Sequence, residues 1–179
     1  AEVTPHHLLL TDELVSNYDP VFKVNPPLRT EQDVMALRAG LADGTIDIVG
    51  TDHAPHPTED KDCEWQSAAF GMVGLETALS VVVKSMIETK LMSWSDLVER
   101  MSITPARIAG YSNHGRNIAV GAPANLTIID TSSNWIVDRN RLASKSKNTP
   151  FQAMSLPARV LHTFFNGNLV LKDSELVRG

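Results

Sequence analysis

The stretch Ile46-Asp47-Ile48-Val49-Gly50-Thr51-Asp52-His53-Ala54-Pro55-His56 decides the fold. Its β-rich run from Ile46 to Thr51 predicts a short strand. The polar run from Asp52 to His56 follows directly on the strand's carboxyl end. In (β/α)8 barrels that end of each strand faces the active site. A carboxylate placed there can bind a metal and exchange a proton with the water the metal activates. Neighbouring imidazoles can bind metal or a substrate carboxylate. The plainer alternative is a polar loop in which Asp52 caps a turn and the histidines are solvated.

Upstream, Thr30 is placed to cap a helix over about 31–42. Val34, Leu37 and Leu41 recur at helical spacing and supply its apolar face, and Asp43-Gly44 ends it. A helix start is also expected at Thr11 or Asp12. Residues 19–29 carry three prolines and cannot be regular helix. Within them, Lys23-Val24-Asn25-Pro26-Pro27-Leu28-Arg29 holds Asn25 against a stiff diproline. An amide side chain donates and accepts, which suits a cyclic amide or ureido ligand. A rigid connection is the alternative. The opening Glu2-Val3-Thr4-Pro5-His6-His7 reads as a strand entering a histidine-bearing loop, and a chain that opens in a strand is expected to continue a longer one. The paired histidines His6 and His7 after a strand suggest metal or substrate binding. Adjacent residues of an extended segment point opposite ways, so both cannot easily serve one site, and one is expected to pack or hydrogen-bond structurally.

Downstream, residues 57–69 are expected to form a polar loop over the site. An apolar helix is expected from Gly74 to about Glu88, a second from a Ser93 cap to Met101, and a short one over 104–110 with proline in its first turn. After Gly115 the texture turns to β-type runs at 126–130, 135–137, 158–165 and 169–171, with Asn166-Gly167 as a hairpin signal between the last two. Alternating helices and strands before about residue 115 and strands after it predict an α/β fold. The expected architecture is the C-terminal part of a (β/α)8 TIM-type barrel over 1–115, then a small β-domain over 116–179. His114 and His162 lie in a loop and a late strand and are not expected to be catalytic.

Composition narrows the partners. The 179 residues are 42% hydrophobic and 21% charged, with a net charge of −5. No basic stripe offers counterion release to nucleic acid. Cys63 is the single cysteine, which excludes a disulfide within the chain and suits a reducing cytoplasm. It lies in the loop after His56, where an idle thiol is the plainer reading than a metal-binding or oxidised one. No apolar stretch approaches the roughly 20 residues that span a bilayer.

Taken together, several stretches resemble the bacterial-type dihydroorotase family of the amidohydrolase superfamily. They are Glu2-Val3-Thr4-Pro5-His6-His7-Leu8, Lys23 to Arg29, Thr51 to His56, Phe70-Gly71-Met72-Val73-Gly74-Leu75-Glu76-Thr77 and Ser144-Lys145-Ser146-Lys147-Asn148-Thr149-Pro150-Phe151. Gly121-Ala122-Pro123-Ala124-Asn125-Leu126 is similar to that family's entry into its closing β-domain. Hydantoinases and allantoinases share the Asp-His pair and the Pro-Pro segment but usually lack the counterparts of Asn25 and His56. They are the alternative within enzymes.

The resemblance implies reversible, zinc-dependent cyclisation of N-carbamoyl-L-aspartate to L-dihydroorotate in pyrimidine biosynthesis. Zinc there lowers the pKa of the attacking water and polarises the ring carbonyl. Asp52 matches the family's metal-binding and proton-transferring carboxylate. His56 matches the histidine that holds the substrate carboxylate, and Asn25 an asparagine that hydrogen-bonds substrate. The backbone at Phe70 and Gly71 matches a segment touching the dihydropyrimidine ring. Glu2 and His7 match positions that bind an additional zinc in some relatives.

The other ligands of the binuclear site fall before residue 1 in this family. The chain alone is therefore expected neither to hold catalytic zinc nor to turn over, and to fold only against its missing N-terminal part or within an oligomer. A homo-oligomer and aspartate transcarbamoylase are the macromolecular partners implied. An inactive scaffold supporting that transcarbamoylase is the reading from another class.

Overall fold

The computed structural model describes residues 1–177. Strand β1 (Glu2–Val3) lies parallel to β2 (Ile48–Val49), with Glu2 opposite Ile48 and Val3 opposite Val49. Parallel neighbours need a crossover, and helix α1 (Glu31–Asp43) supplies it. Its start is a capping box. The Thr30 hydroxyl accepts from the Asp33 amide at 3.3 Å, and the Asp33 carboxylate accepts from the Thr30 amide at 3.2 Å. The Thr30 hydroxyl also donates to the Asp33 carboxylate at 2.7 Å, and this bond first, with that from the Thr30 amide, lowers the Asp33 pKa. Its end is Gly44, whose φ of 90° is left-handed. Val34 and Leu41 are buried along the inner face.

A short helix, α2 (Thr58–Lys61), interrupts the loop expected over 57–69. Helix α3 (Ala78–Val82) starts four residues later than Gly74 and runs into a π-helical turn over Val83–Ile87. Helix α4 (Trp94–Val98) carries the Ser93 cap with Asp96 as its reciprocal partner. It continues through a π-helical turn, Glu99–Ile103, into α5 (Thr104–Ala109). The two expected helices over 93–110 are thus one run with a π segment between them. Pro105 lacks an amide hydrogen and so breaks the bond pattern without ending the run.

Strands β3 (Leu126–Ile136), β4 (Ser155–Phe165), β5 (Asn168–Lys172) and β6 (Glu175–Leu176) form an antiparallel sheet in chain order. The two expected strands at 126–130 and 135–137 are largely one, its register shifting between Asp130 and Asn134. Asn166 and Gly167 both have positive φ, 48° and 80°, as a tight hairpin between β4 and β5 requires. The sheet is bound to α3 by a relay: Ser80 Oγ donates to the Ala158 carbonyl at 2.7 Å and accepts from Trp135 Nε1 at 3.0 Å.

Two buried clusters hold the fold. One gathers Val3, Leu8, Leu41, Val49, Val82, Met86 and Leu97 around the two parallel strands. The other gathers Leu10, Val24, Leu28, Met72, Val81, Val137, Phe151 and Leu156. Val24 and Met72 flank residues that the sequence marks as functional, so this second cluster is the floor of the site. Interiors packed at this density move little, and the backbone on either side inherits that rigidity.

Candidate active site

The parallel pairing puts the carboxyl ends of β1 and β2 on one side, and every marked residue except Glu2 lies beyond those ends in the chain. Asp52 sits three residues past β2 with φ 46°, a left-handed conformation that aspartate tolerates better than most residues. It is exposed and makes no hydrogen bond among the described residues. A carboxylate free of protein partners suits a group that binds something else. The backbone then returns to order. His53 bridges to Met72, and the Ala54 amide donates to the Met72 carbonyl at 3.0 Å. His53 Nδ1 accepts from the Gly74 amide at 3.0 Å, so the ring serves the loop.

His56, Phe70 and Gly71 converge. His56 Nε2 donates to the Phe70 carbonyl at 2.9 Å. The carbonyl can only accept, which puts a proton on Nε2 and leaves Nδ1 for a ligand. Gly71 has φ 118° and is buried beneath the ring. A β-carbon there would overlap that of Ala54 and lie 3.5 Å from His56 Nε2.

Two lysines fasten this loop. Lys23 Nζ donates to the carbonyls of Trp65, Gln66 and Ala68 at 2.6, 3.2 and 2.6 Å. It also lies 4.5 Å from the Phe70 ring centroid. Lys61 Nζ donates to the carbonyls of Ala69 and Gly71, each at 2.9 Å. Burial, and then the charge of Lys23, lower the Lys61 pKa to about 8. Both ammonium groups are buried and bonded to main-chain oxygens. The Gly71 amide donates to the Lys23 carbonyl at 2.9 Å, which brings the Asn25 segment alongside. Asn25 itself is exposed with no hydrogen bond among the described residues.

Sequence reasoning assigned no role to Asn148. The residue is 7% exposed and joins two segments, the loop after β2 and the Phe70-Gly71 stretch. Its Nδ2 donates to the Ala54 carbonyl at 2.9 Å and the Gly71 carbonyl at 3.3 Å, and its Oδ1 accepts from the His56 amide at 3.4 Å. The only signal for it was its place in the Ser144–Phe151 motif.

At the N-terminal histidines the structure departs from the expected extended segment. Pro5 adopts a helical φ of −56°, and His6–Leu8 form a 3-10 turn. The two rings therefore lie side by side, with centroids 4.5 Å apart. His7 Nε2 donates to the Pro26 carbonyl at 3.0 Å and Nδ1 pairs with the Thr4 hydroxyl at 2.6 Å, so metal binding by His7 would displace one of these. The Glu2 carboxylate lies against Gly50. Among the described residues no three His, Cys, Asp or Glu side chains are grouped to hold a metal.

His6 is buried and its Nε2 has no partner among the described residues. Burial, with the neighbouring His7, lowers its pKa from 6.5 to about 3. Between those values the unfolded chain binds a proton that the folded one refuses, so stability is full above about pH 6.5 and falls as pH drops toward 3. Melting the full-length protein at pH 7.5 and pH 5 should show this loss, with part of it abolished in His6→Leu. An equal acid loss in the variant would assign it elsewhere.

No helix among the described residues is long and apolar enough to cross a membrane. The amidohydrolase family model matches residues 7–170. The chain is 61% identical over 176 residues to the dihydroorotase of Streptomyces coelicolor, covering 98% of this chain and 41% of that protein. It is 52% identical to the dihydroorotase of Mycobacterium tuberculosis, with the same coverage. It therefore spans about 41% of the length of the curated relatives it matches. Its fold superposes on the L-hydantoinase of Arthrobacter aurescens with a TM-score of 0.91 at 32% identity, over 99% of this chain and 40% of that one. The D-hydantoinase of a Thermus species gives 0.89 at 22% identity, over 98% and 40%. The chain belongs to the amidohydrolase family.

Proposed function

We propose that this chain is part of a dihydroorotase, which interconverts N-carbamoyl-L-aspartate and L-dihydroorotate by opening and closing a cyclic amide. The observation that carries the proposal is the convergence of His56, Phe70 and Gly71 beyond the carboxyl end of β2. It occurs in a chain 61% identical to a dihydroorotase over 176 residues.

In this reading Asp52 takes the proton from the attacking water and passes it to the leaving ring nitrogen. His56 holds the substrate carboxylate through Nδ1. Because Nε2–H is given to Phe70, Nδ1 can donate only from a doubly protonated ring, so the carboxylate meets an imidazolium. Asn25 offers an amide to the ureido edge, and the Phe70-Gly71 backbone borders the ring.

Zinc suits the exposed, unpartnered carboxylate of Asp52, and when bound it supplies water activation and carbonyl polarisation. One carboxylate is not a zinc site, since catalytic sites generally use about three protein ligands. The others belong to the remainder of the enzyme, with Glu2 and His7 as candidates for an additional ion. The same proposal assigns residues 1–115 to the barrel and 116–179 to the small β-domain. It also takes in the cytoplasm, a homo-oligomer and association with aspartate transcarbamoylase.

The test is substrate choice by the full-length enzyme. A site built to bind a carboxylate rejects analogues lacking it by orders of magnitude, so kcat/KM for dihydroorotate should exceed that for hydantoin by about 100-fold or more. Equal or better turnover of hydantoin or allantoin would favour the hydantoinase or allantoinase alternative. Turnover of none of them would favour the inactive scaffold.

A further inference from the structure

The ring of His56 is aimed by two segments far apart in sequence. Its own backbone belongs to the loop after β2, while the carbonyl that fixes Nε2 belongs to Phe70. The ring can present Nδ1 to a ligand only while these two segments keep their relative position. Asn148 is bonded to both. One amide nitrogen reaches Ala54, two residues before His56, and Gly71, one residue after Phe70. The amide oxygen accepts from His56 itself. In addition, the Asn148 carbonyl accepts from the Val73 amide at 3.1 Å.

A primary amide suits this role because it offers two donors and one acceptor on a rigid plane. Aspartate has the same shape but lacks both donors, and it would set a charge against the carbonyls of Ala54 and Gly71. Serine keeps a polar atom but is shorter. The neighbouring Thr149 and Phe151 are almost fully buried, and Phe151 belongs to the second core cluster. Asn148 is thus carried on a backbone anchored in the floor of the site.

We infer that Asn148 is a positioning residue that sets the enzyme's selectivity for a substrate bearing a ring carboxylate, acting through His56. The inference rests on the dihydroorotase reading. It concerns ground-state recognition of the carboxylate. In that reading the reacting amide is served by Asp52, with a bound metal supplying carbonyl polarisation. Loss of Asn148 should therefore raise KM for the carboxylate-bearing substrate far more than it lowers kcat. It should leave a substrate lacking that carboxylate nearly unaffected.

The experiment compares dihydroorotate with dihydrouracil, the same ring without the carboxylate, in full-length wild type, Asn148→Asp, Asn148→Ser and His56→Ala. Circular dichroism checks folding. Wild type should favour dihydroorotate, and His56→Ala should lose that preference. Either Asn148 variant should raise KM for dihydroorotate about tenfold, a shift of the size that a lost polar contact gives, with kcat changed less than about threefold. Its kcat/KM for dihydrouracil should stay within about twofold of wild type.

Folded variants that keep the wild-type preference overturn the inference, as does an equal loss on both substrates. Failure of both variants to fold overturns it too, because Asn148 would then determine the fold instead of the preference. A wild type with no preference for dihydroorotate, or a preference that survives His56→Ala, overturns the dihydroorotase reading together with the inference.

Discussion

Replacing Asp52 with asparagine in the full-length enzyme should lower kcat for dihydroorotate by about 10³-fold or more, with the fold intact. The size follows from two losses. An amide cannot take the proton from the attacking water, and general-base transfer alone is worth about 10²–10⁴-fold. An amide oxygen is also a poorer metal ligand than a carboxylate, so part of what the proposed metal would contribute goes as well. The intact fold follows from the local structure. Asp52 is exposed, makes no hydrogen bond among the described residues and sits at φ 46°. Asparagine enters that left-handed region as readily as aspartate does. Surface changes without such entanglements stay within about 0.5 kcal/mol. The measurements are steady-state kinetics, metal content and thermal melting on one preparation. More than a tenth of wild-type kcat would remove Asp52 from the chemistry, whereas a large drop in melting temperature would mean the carboxylate has a structural task.

The prominence of Asp52 in the sequence and the obscurity of Asn148 have the same cause. Asp52 follows the strand's last residue, Val49, by three positions, so strand, strand end and candidate functional group all fall within one short window. The Thr30 cap, the Gly44 stop and the Asn166-Gly167 turn were legible for the same reason, because each is a local contest between backbone conformations that few residues can win. Asn148 bonds to Ala54 and Gly71, 94 and 77 residues away, and no periodicity records such a partnership. Lys23 and Lys61 were invisible in another way. A lysine in a polar loop reads as solvated, and only the folded loop reveals that main-chain carbonyls replace the water around each ammonium group. The histidine pair misled because extended geometry was assumed across Pro5. One helical φ at that proline turned two opposed side chains into neighbours. The π segments in the helices over 78–109 likewise have no periodic signature, since each spans only five residues, about one turn.

Gly71→Ala should cost the full-length enzyme about 100-fold or more in kcat/KM for dihydroorotate. Two penalties coincide at this position. With φ at 118°, alanine is strained wherever the neighbours stand, a cost on the order of 1–3 kcal/mol. Its β-carbon would also overlap that of Ala54, two residues before His56, and sit in contact with the His56 ring at 3.5 Å. The loop cannot retreat freely, because the Gly71 carbonyl is held by Lys61 and Asn148 and the Gly71 amide by the Lys23 carbonyl. Relief must then come largely from the Ala54–His56 segment, which carries the ring proposed to hold the substrate carboxylate. A misplacement of about 1 Å at such a contact is enough for a loss of about 10²-fold. Gly110→Ala separates strain from overlap. Gly110 also has positive φ, 73°, but a β-carbon there meets nothing within 4 Å. That variant should melt slightly lower, by about 1 kcal/mol of stability, and keep wild-type kinetics. Kinetics and melting curves of the two variants side by side decide the matter. Gly71→Ala with wild-type kcat/KM would show that the contact between His56 and the Phe70-Gly71 peptide does not shape the site.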